Sequence, residues 1–204
     1  MKRFIKKTLF LLAMAVAVAG CDSFSEMDNE EESQEKYYYA FNEKIFLDVV
    51  ANKFVVGFDE QYLLKIQEYL QMKTQIRHIE FSEKYCILIV EESYVKTLRE
   101  EFSKQTGIKS INPMYITTDS GVEMGVTDEI VVQFRENVSQ KTINEMYKKY
   151  NLEIIEITEL YQLLSVPINL DPLDVSNAIQ TSGLANFSYP NFVTRLILFN
   201  SKIQ

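Results

Sequence analysis

Glu129-Ile130-Val131-Val132-Gln133-Phe134-Arg135 is the stretch whose reading decides the fold. Ile130, Val132 and Phe134 fall on one side, while Glu129, Gln133 and Arg135 fall on the other. A period of two is that of a half-buried strand, not a helix. The pattern recurs in Lys53-Phe54-Val55-Val56-Gly57-Phe58-Asp59, where Phe54, Val56 and Phe58 form the apolar side. The two stretches lie 76 residues apart, and the same offset separates Tyr85 from Tyr161 and Gly107 from Gly183. Pro113 and Pro190 slip by one residue, which a bulge absorbs. The chain therefore carries a duplicated module.

Each copy reads as strand, helix, strand, strand, helix, strand. In the first, Leu63, Ile66 and Leu70 share one helical face, and Val95, Leu98 and Phe102 share another, with Gly107 expected as the helix C-cap. In the second, Ser139 is an N-cap ahead of Ile143, Met146, Tyr147 and Tyr150, and Asp171-Pro172 opens a helix that Gly183 ends. This order predicts an α+β fold of two tandem ferredoxin-like βαββαβ modules, each with both helices on one face of an antiparallel sheet. Residues 37–118 hold the first module and 119–204 the second, joined through residues 118–127. A small β-hairpin over residues 37–47, turning at Asn42-Glu43, precedes them. Its tyrosines, Tyr37, Tyr38 and Tyr39, read as cover for a core. Stacking on a sugar would need orienting polar groups that the neighbouring sequence does not supply.

Residues 1–20 read as an address. Lys2, Arg3, Lys6 and Lys7 precede an apolar run shorter than the roughly 20 residues that a membrane span needs. Val18-Ala19-Gly20-Cys21 resembles a bacterial lipobox, which implies acylation of Cys21 and a lipid membrane as partner, with stable anchoring by more than one chain. Residues 21–36 are strongly acidic and read as an extended, disordered tether. An acidic patch behind a lipidated cysteine resembles the surface-export signal of some Gram-negative lipoproteins. The expected location is the bacterial envelope, as an outer-membrane lipoprotein exposed at the surface.

The formal charge is −8 over 204 residues, and without the leader's four cations 17 basic residues face 29 acidic ones, a charge of −12. That balance excludes nucleic acid as a partner, because phosphate binding needs clustered Lys and Arg. With Cys21 given to lipid, Cys86 stands alone in an apolar strand, so neither a disulfide nor a thiolate metal set is expected. His78 is the only histidine. It sits at a strand start, where a surface position is the default. The acidic pairs Asp59-Glu60 and Glu91-Glu92 are adjacent in sequence, so neither projects from one face as a catalytic dyad. No nucleophile elbow, zinc helix, P-loop or dinucleotide fingerprint is present. The sequence predicts no enzyme, no metal and no small-molecule cofactor.

Residues 37–47, 52–59, 127–136 and 186–194 resemble the N-terminal prodomain of bacterial subtilisin-like serine proteases, in its tandem, fervidolysin-type form. The strand beginning Thr127-Asp128-Glu129-Ile130-Val131-Val132 and the late Tyr189-Pro190-Asn191-Phe192 carry most of the likeness. The resemblance implies βαββαβ units that lay the outer face of a sheet on two helices of the protease. Val131 and Gln133 would belong to that face. It also implies a tail running through the active-site cleft, with Arg195, Leu196, Phe199, Lys202, Ile203 and Gln204 as its contacts. The sequence departs from the family in that no catalytic domain follows within the 204 residues. The expected function is a membrane-anchored, prodomain-like lipoprotein that binds a subtilisin-like protease as inhibitor or folding chaperone. The alternative is a non-catalytic structural or interaction lipoprotein that retains only the fold. A small-molecule sensor is a weaker third reading, since no Gly-rich turn follows the first strand. Residues 196–199 are apolar and serve equally well as the end of the last strand or as a cleft-binding segment.

Overall fold

The computed structural model describes residues 35–194. Two strands open it, β1 (Lys36–Ala40) and β2 (Glu43–Phe58). The first repeat continues with α1 (Leu63–Gln71), β3 (Ile76–Phe81), β4 (Tyr85–Val90), α2 (Val95–Phe102) and β5 (Ile108–Thr117). The second holds β6 (Glu123–Phe134), α3 (Gln140–Tyr150), β7 (Glu153–Ile157), β8 (Gln162–Ser165), α4 (Pro172–Thr181) and β9 (Ala185–Thr194). The fold is mixed α+β, with four α-helices among the described residues and strands joined by antiparallel ladders.

Strand order in the first repeat is β3-β4-β2-β5. In the second it is β7-β8-β6-β9. β5 also pairs with β6 through Met114↔Gly125, Tyr115↔Met124 and Ile116↔Glu123, so the described strands form one nine-stranded sheet. The alternation of apolar residues is what fills the space beneath each set of helices. Phe54, Val56 and Phe58 pack with Ile66, Leu70, Leu98 and Phe102 in one core. Ile130 and Val132 pack with Ile143, Met146, Val175 and Ile179 in another. A third cluster around Leu47, Tyr115, Val126 and Leu173 fills the junction between them.

Local signals explain where the second-repeat helices begin and end. Ser139 Oγ accepts from the Thr142 amide at 3.2 Å, and Asp171 Oδ1 accepts from the Leu173 amide at 2.9 Å. Each satisfies a backbone donor that the first helical turn leaves free. Gly183, at φ 74°, follows the C-cap of α4 in the left-handed conformation that glycine adopts without strain.

Four expectations are corrected. The hairpin turns at Phe41-Asn42, one residue early, with φ of 50° and 67°. Both central residues are left-handed, as in a type I′ turn that matches the twist of the flanking strands. Its second strand does not stop at Leu47. It runs on as the 16-residue β2, with a register shift between Val50 and Phe54 absorbing the change of neighbours. The second half of the segment expected to join the repeats is strand, because β6 already begins at Glu123. Gly107 is not a C-cap. α2 ends at Phe102, and Gly107, at φ 92°, shapes the turn into β5.

Candidate functional site

Of the residues expected to contact a partner, Val131 and Gln133 are described; Cys21, Arg195, Leu196, Phe199, Lys202, Ile203 and Gln204 lie outside the described residues. Val131 and Val132 are neighbours with opposite fates. Val132 is fully buried under the helices, while Val131 is half-buried on the far face of the sheet. Directly opposed residues in adjacent strands share a face. Val131 opposes Leu163 of β8 and Tyr189 of β9, and Gln133 opposes Phe187. All five are only partly buried, so this face presents a strip of apolar and aromatic surface. Gln133 is fixed within it, donating to the Leu160 carbonyl at 2.7 Å and accepting from Asn186 Nδ2 at 3.0 Å.

The strip belongs to the second repeat alone. In the first, the corresponding face is covered where β6 starts. Val55 is fully buried, and a Cβ added to Gly125 would stand within 2.7 Å of Met114 Sδ and closer still to Val55. Only glycine lets the backbone approach so near.

A cleft of about 540 Å³ opens between the repeats, with Tyr85, Lys109, Asp128 and Glu129 among its lining. Asp128 and Glu129 are 7% and 8% exposed, although the sequence pattern placed Glu129 on the solvent side. Burial holds the Asp128 carboxyl above the usual carboxylate range, with the neighbouring Glu129 charge adding to it and the Tyr85 hydrogen bond and Lys109 opposing it. Burial also pushes the Tyr85 hydroxyl up. Glu129 accepts from Asn191 Nδ2 at 2.7 Å, and Lys109 pairs with Asp59 at 2.6 Å. Of these contacts, the hydrogen bond from Tyr85 to Asp128 crosses from one repeat to the other.

A groove of about 500 Å³ lies between the β1–β2 turn, the end of α4 and β9. Its walls are aromatic, and the Phe187 and Tyr189 rings stack at 5.5 Å between centroids with 28° between planes. Tyr38 meets Phe192 edge-on at 4.9 Å. The hairpin is held against α4 by Lys36, which pairs with Asp171 at 3.1 Å and Asp174 at 3.0 Å, and by Asn177 Nδ2 donating to the Tyr37 carbonyl at 2.7 Å. Lys36, read as the last tether residue, is thus the first residue of the folded sheet.

Cys86 is buried, and desolvation pushes its thiol up to about 12. His78 is exposed beside Glu80 at 3.2 Å. Among the described residues no group of three or more His, Cys, Asp or Glu stands where it could hold a metal ion, and no helix is long and apolar enough to cross a membrane. No family model matches the chain, and comparison with curated proteins and with solved structures finds no match.

Proposed function

We propose that this chain is a membrane-anchored, non-enzymatic binding protein whose two repeats are tandem ferredoxin-like modules, docking on a subtilisin-like serine protease as inhibitor or folding chaperone. The observation that carries the reading is the apolar strip of Leu163, Val131 and Tyr189 on the outer face of the second repeat's strands. That is the face through which the resembled prodomains lie on the protease. The two strand orders support the modular part, since each equals the order of a ferredoxin-like unit. The tail contact that the resemblance implies would add backbone hydrogen bonds to a cleft edge.

A second reading is favoured by β7. Glu153–Ile157 is an edge strand exposed along its whole length, with Ile154, Ile155 and Ile157 all open. Such an edge is a template for pairing with another chain. A non-catalytic interaction lipoprotein would use it.

The discriminating experiment titrates the whole chain, and a chain lacking residues 200–204, against subtilisin-like proteases while peptide hydrolysis is followed. Inhibition weakened about tenfold by the deletion, with melting unchanged, is the expected result. Absence of both inhibition and assisted refolding for every protease tested rejects the reading.

A further inference from the structure

We infer that the aromatic groove between the hairpin and β9 is a binding site for a neutral glycan. The sequence places Tyr38 and Tyr39 together but supplies nothing beside them to orient a sugar. The fold supplies it. Asn42, Gln180 and Asn186 converge on the groove, and Gln180 Nε2 donates to Asn42 Oδ1 across 138 residues of chain at 3.1 Å.

Three observations select the ligand. First, the stacked Phe187 and Tyr189 rings bring an aromatic platform to the groove, the kind of surface that the C–H face of a pyranose covers. Second, among the described residues the polar groups of the lining are carboxamides and tyrosine hydroxyls, with no carboxylate or ammonium, in a chain that is a quarter charged. A charged ligand would find no counter-charge there, while a neutral polyol finds both donors and acceptors. Third, Asn42 and Asn186 are exposed carboxamides at the groove, and their amides meet the hydroxyls of a sugar, where an acyl chain could not use them. The volume lies within the range of about 300–1,000 Å³ usual for small-ligand pockets.

The groove's mouth carries a further sign. Phe41 is fully exposed and sits at φ 50°, a conformation that bulky side chains rarely adopt. Local strain of this kind is retained where it serves a contact. Phe41 stands where it would flank a ligand lying on the Phe187–Tyr189 platform.

This inference does not rest on the protease reading, and its test contains no protease. The whole chain, in a non-glycosidic detergent, is titrated with maltohexaose, cellohexaose and chitohexaose by calorimetry and by tyrosine fluorescence, which no tryptophan obscures. Saturable binding of at least one is expected. Tyr189→Ala should weaken it about tenfold and Tyr189→Phe far less, because the platform survives in the latter. Asn42→Gly removes one carboxamide while accepting the same left-handed turn, and should weaken binding several-fold without unfolding the hairpin. Failure of all three saccharides to bind overturns the inference. So does binding that is insensitive to both Tyr189→Ala and Asn42→Gly, or binding that appears only after residues 195–204 are removed. A proline-rich decapeptide that binds where no saccharide does would reassign the groove to peptide and overturn it equally.

Discussion

The Tyr85 hydroxyl, on β4 of the first repeat, donates a hydrogen bond of 3.1 Å to Oδ1 of Asp128, on β6 of the second. Gly57, next to them, completes the contact, for a Cβ there would meet the Tyr85 ring at 3.2 Å and Asp128 Oδ1 at 3.3 Å. The repeats are therefore joined through polar groups withdrawn from water as well as through the β5–β6 ladder.

Asp128 has its folded-state pKa raised by burial, so the native state holds its proton more tightly than the unfolded chain does. The linkage sign follows: this group's contribution is most favourable below the unfolded value of about 3.9, and is lost as pH rises from there through the raised folded value. Asp128→Asn removes the ionisation and keeps an oxygen for Tyr85. The variant should melt above the parent at pH 7, and the difference should shrink towards pH 4. Calorimetric melting at the two pH values checks it.

Gly125 tests the closeness of the repeats. A glycine inside a strand pattern usually marks an interruption. Here it marks an approach between Val55, Met114 and Val193. Gly125→Ala should destabilise the protein by about 1–3 kcal/mol, the usual range for overpacking, measured by urea denaturation.

Local patterns made the strand stretches Phe54–Phe58 and Ile130–Phe134 and the caps at Ser139 and Asp171 legible, because a period of two and a helix N-cap are properties of a few adjacent residues. The length of β2 was not legible. Asp48, Ala51 and Asn52 break the alternation, and the pairing that runs from Leu47↔Thr117 to Val50↔Met114 holds the strand together there. The burial of Asp128 and Glu129 was hidden for the same reason, since what covers them begins some 40 residues upstream at Tyr85. The groove was least visible, as Asn42 and Gln180 meet across 138 residues of sequence.

Phe41 links stability to the groove. It makes the turn left-handed at a cost of roughly 1–2 kcal/mol for an ordinary L-residue. Being fully exposed, it returns no burial. Phe41→Asn, a residue that tolerates this conformation, should stabilise the protein by about 0.5–1 kcal/mol and weaken saccharide binding together. Chemical denaturation and the glycan titration on the same samples check both halves.

Cys86 should be inert while the protein is folded. Its thiol is buried and pushed up to about 12, so almost no thiolate exists at pH 8. In a Cys21→Ser chain, where it is the remaining cysteine, reaction with an aromatic disulfide reagent should be slow in buffer. In 6–8 M urea the reaction should go to completion within minutes, at one thiol per chain.

Val131 and Val132 separate fold from function most directly. Val132 is fully buried between the sheet and the helices of the second repeat, and Val132→Asp would place a carboxylate there with no partner. The cost is several kcal/mol or a forced protonation, and either should appear as a large loss of melting temperature, smaller at acid pH. Val131 lies one residue away on the open face, opposite Leu163 and Tyr189. Val131→Asp leaves its carboxylate in reach of water and should change stability by less than about 1 kcal/mol. If the strip is the protease-docking face, the same substitution should weaken inhibition about tenfold or more, because a charge at the centre of an apolar interface loses its water on docking. Melting curves and inhibition constants for the two variants give the answer together. A Val131→Asp protein that melts like the parent and inhibits like it would remove this face from the interface, whatever the tail contributes.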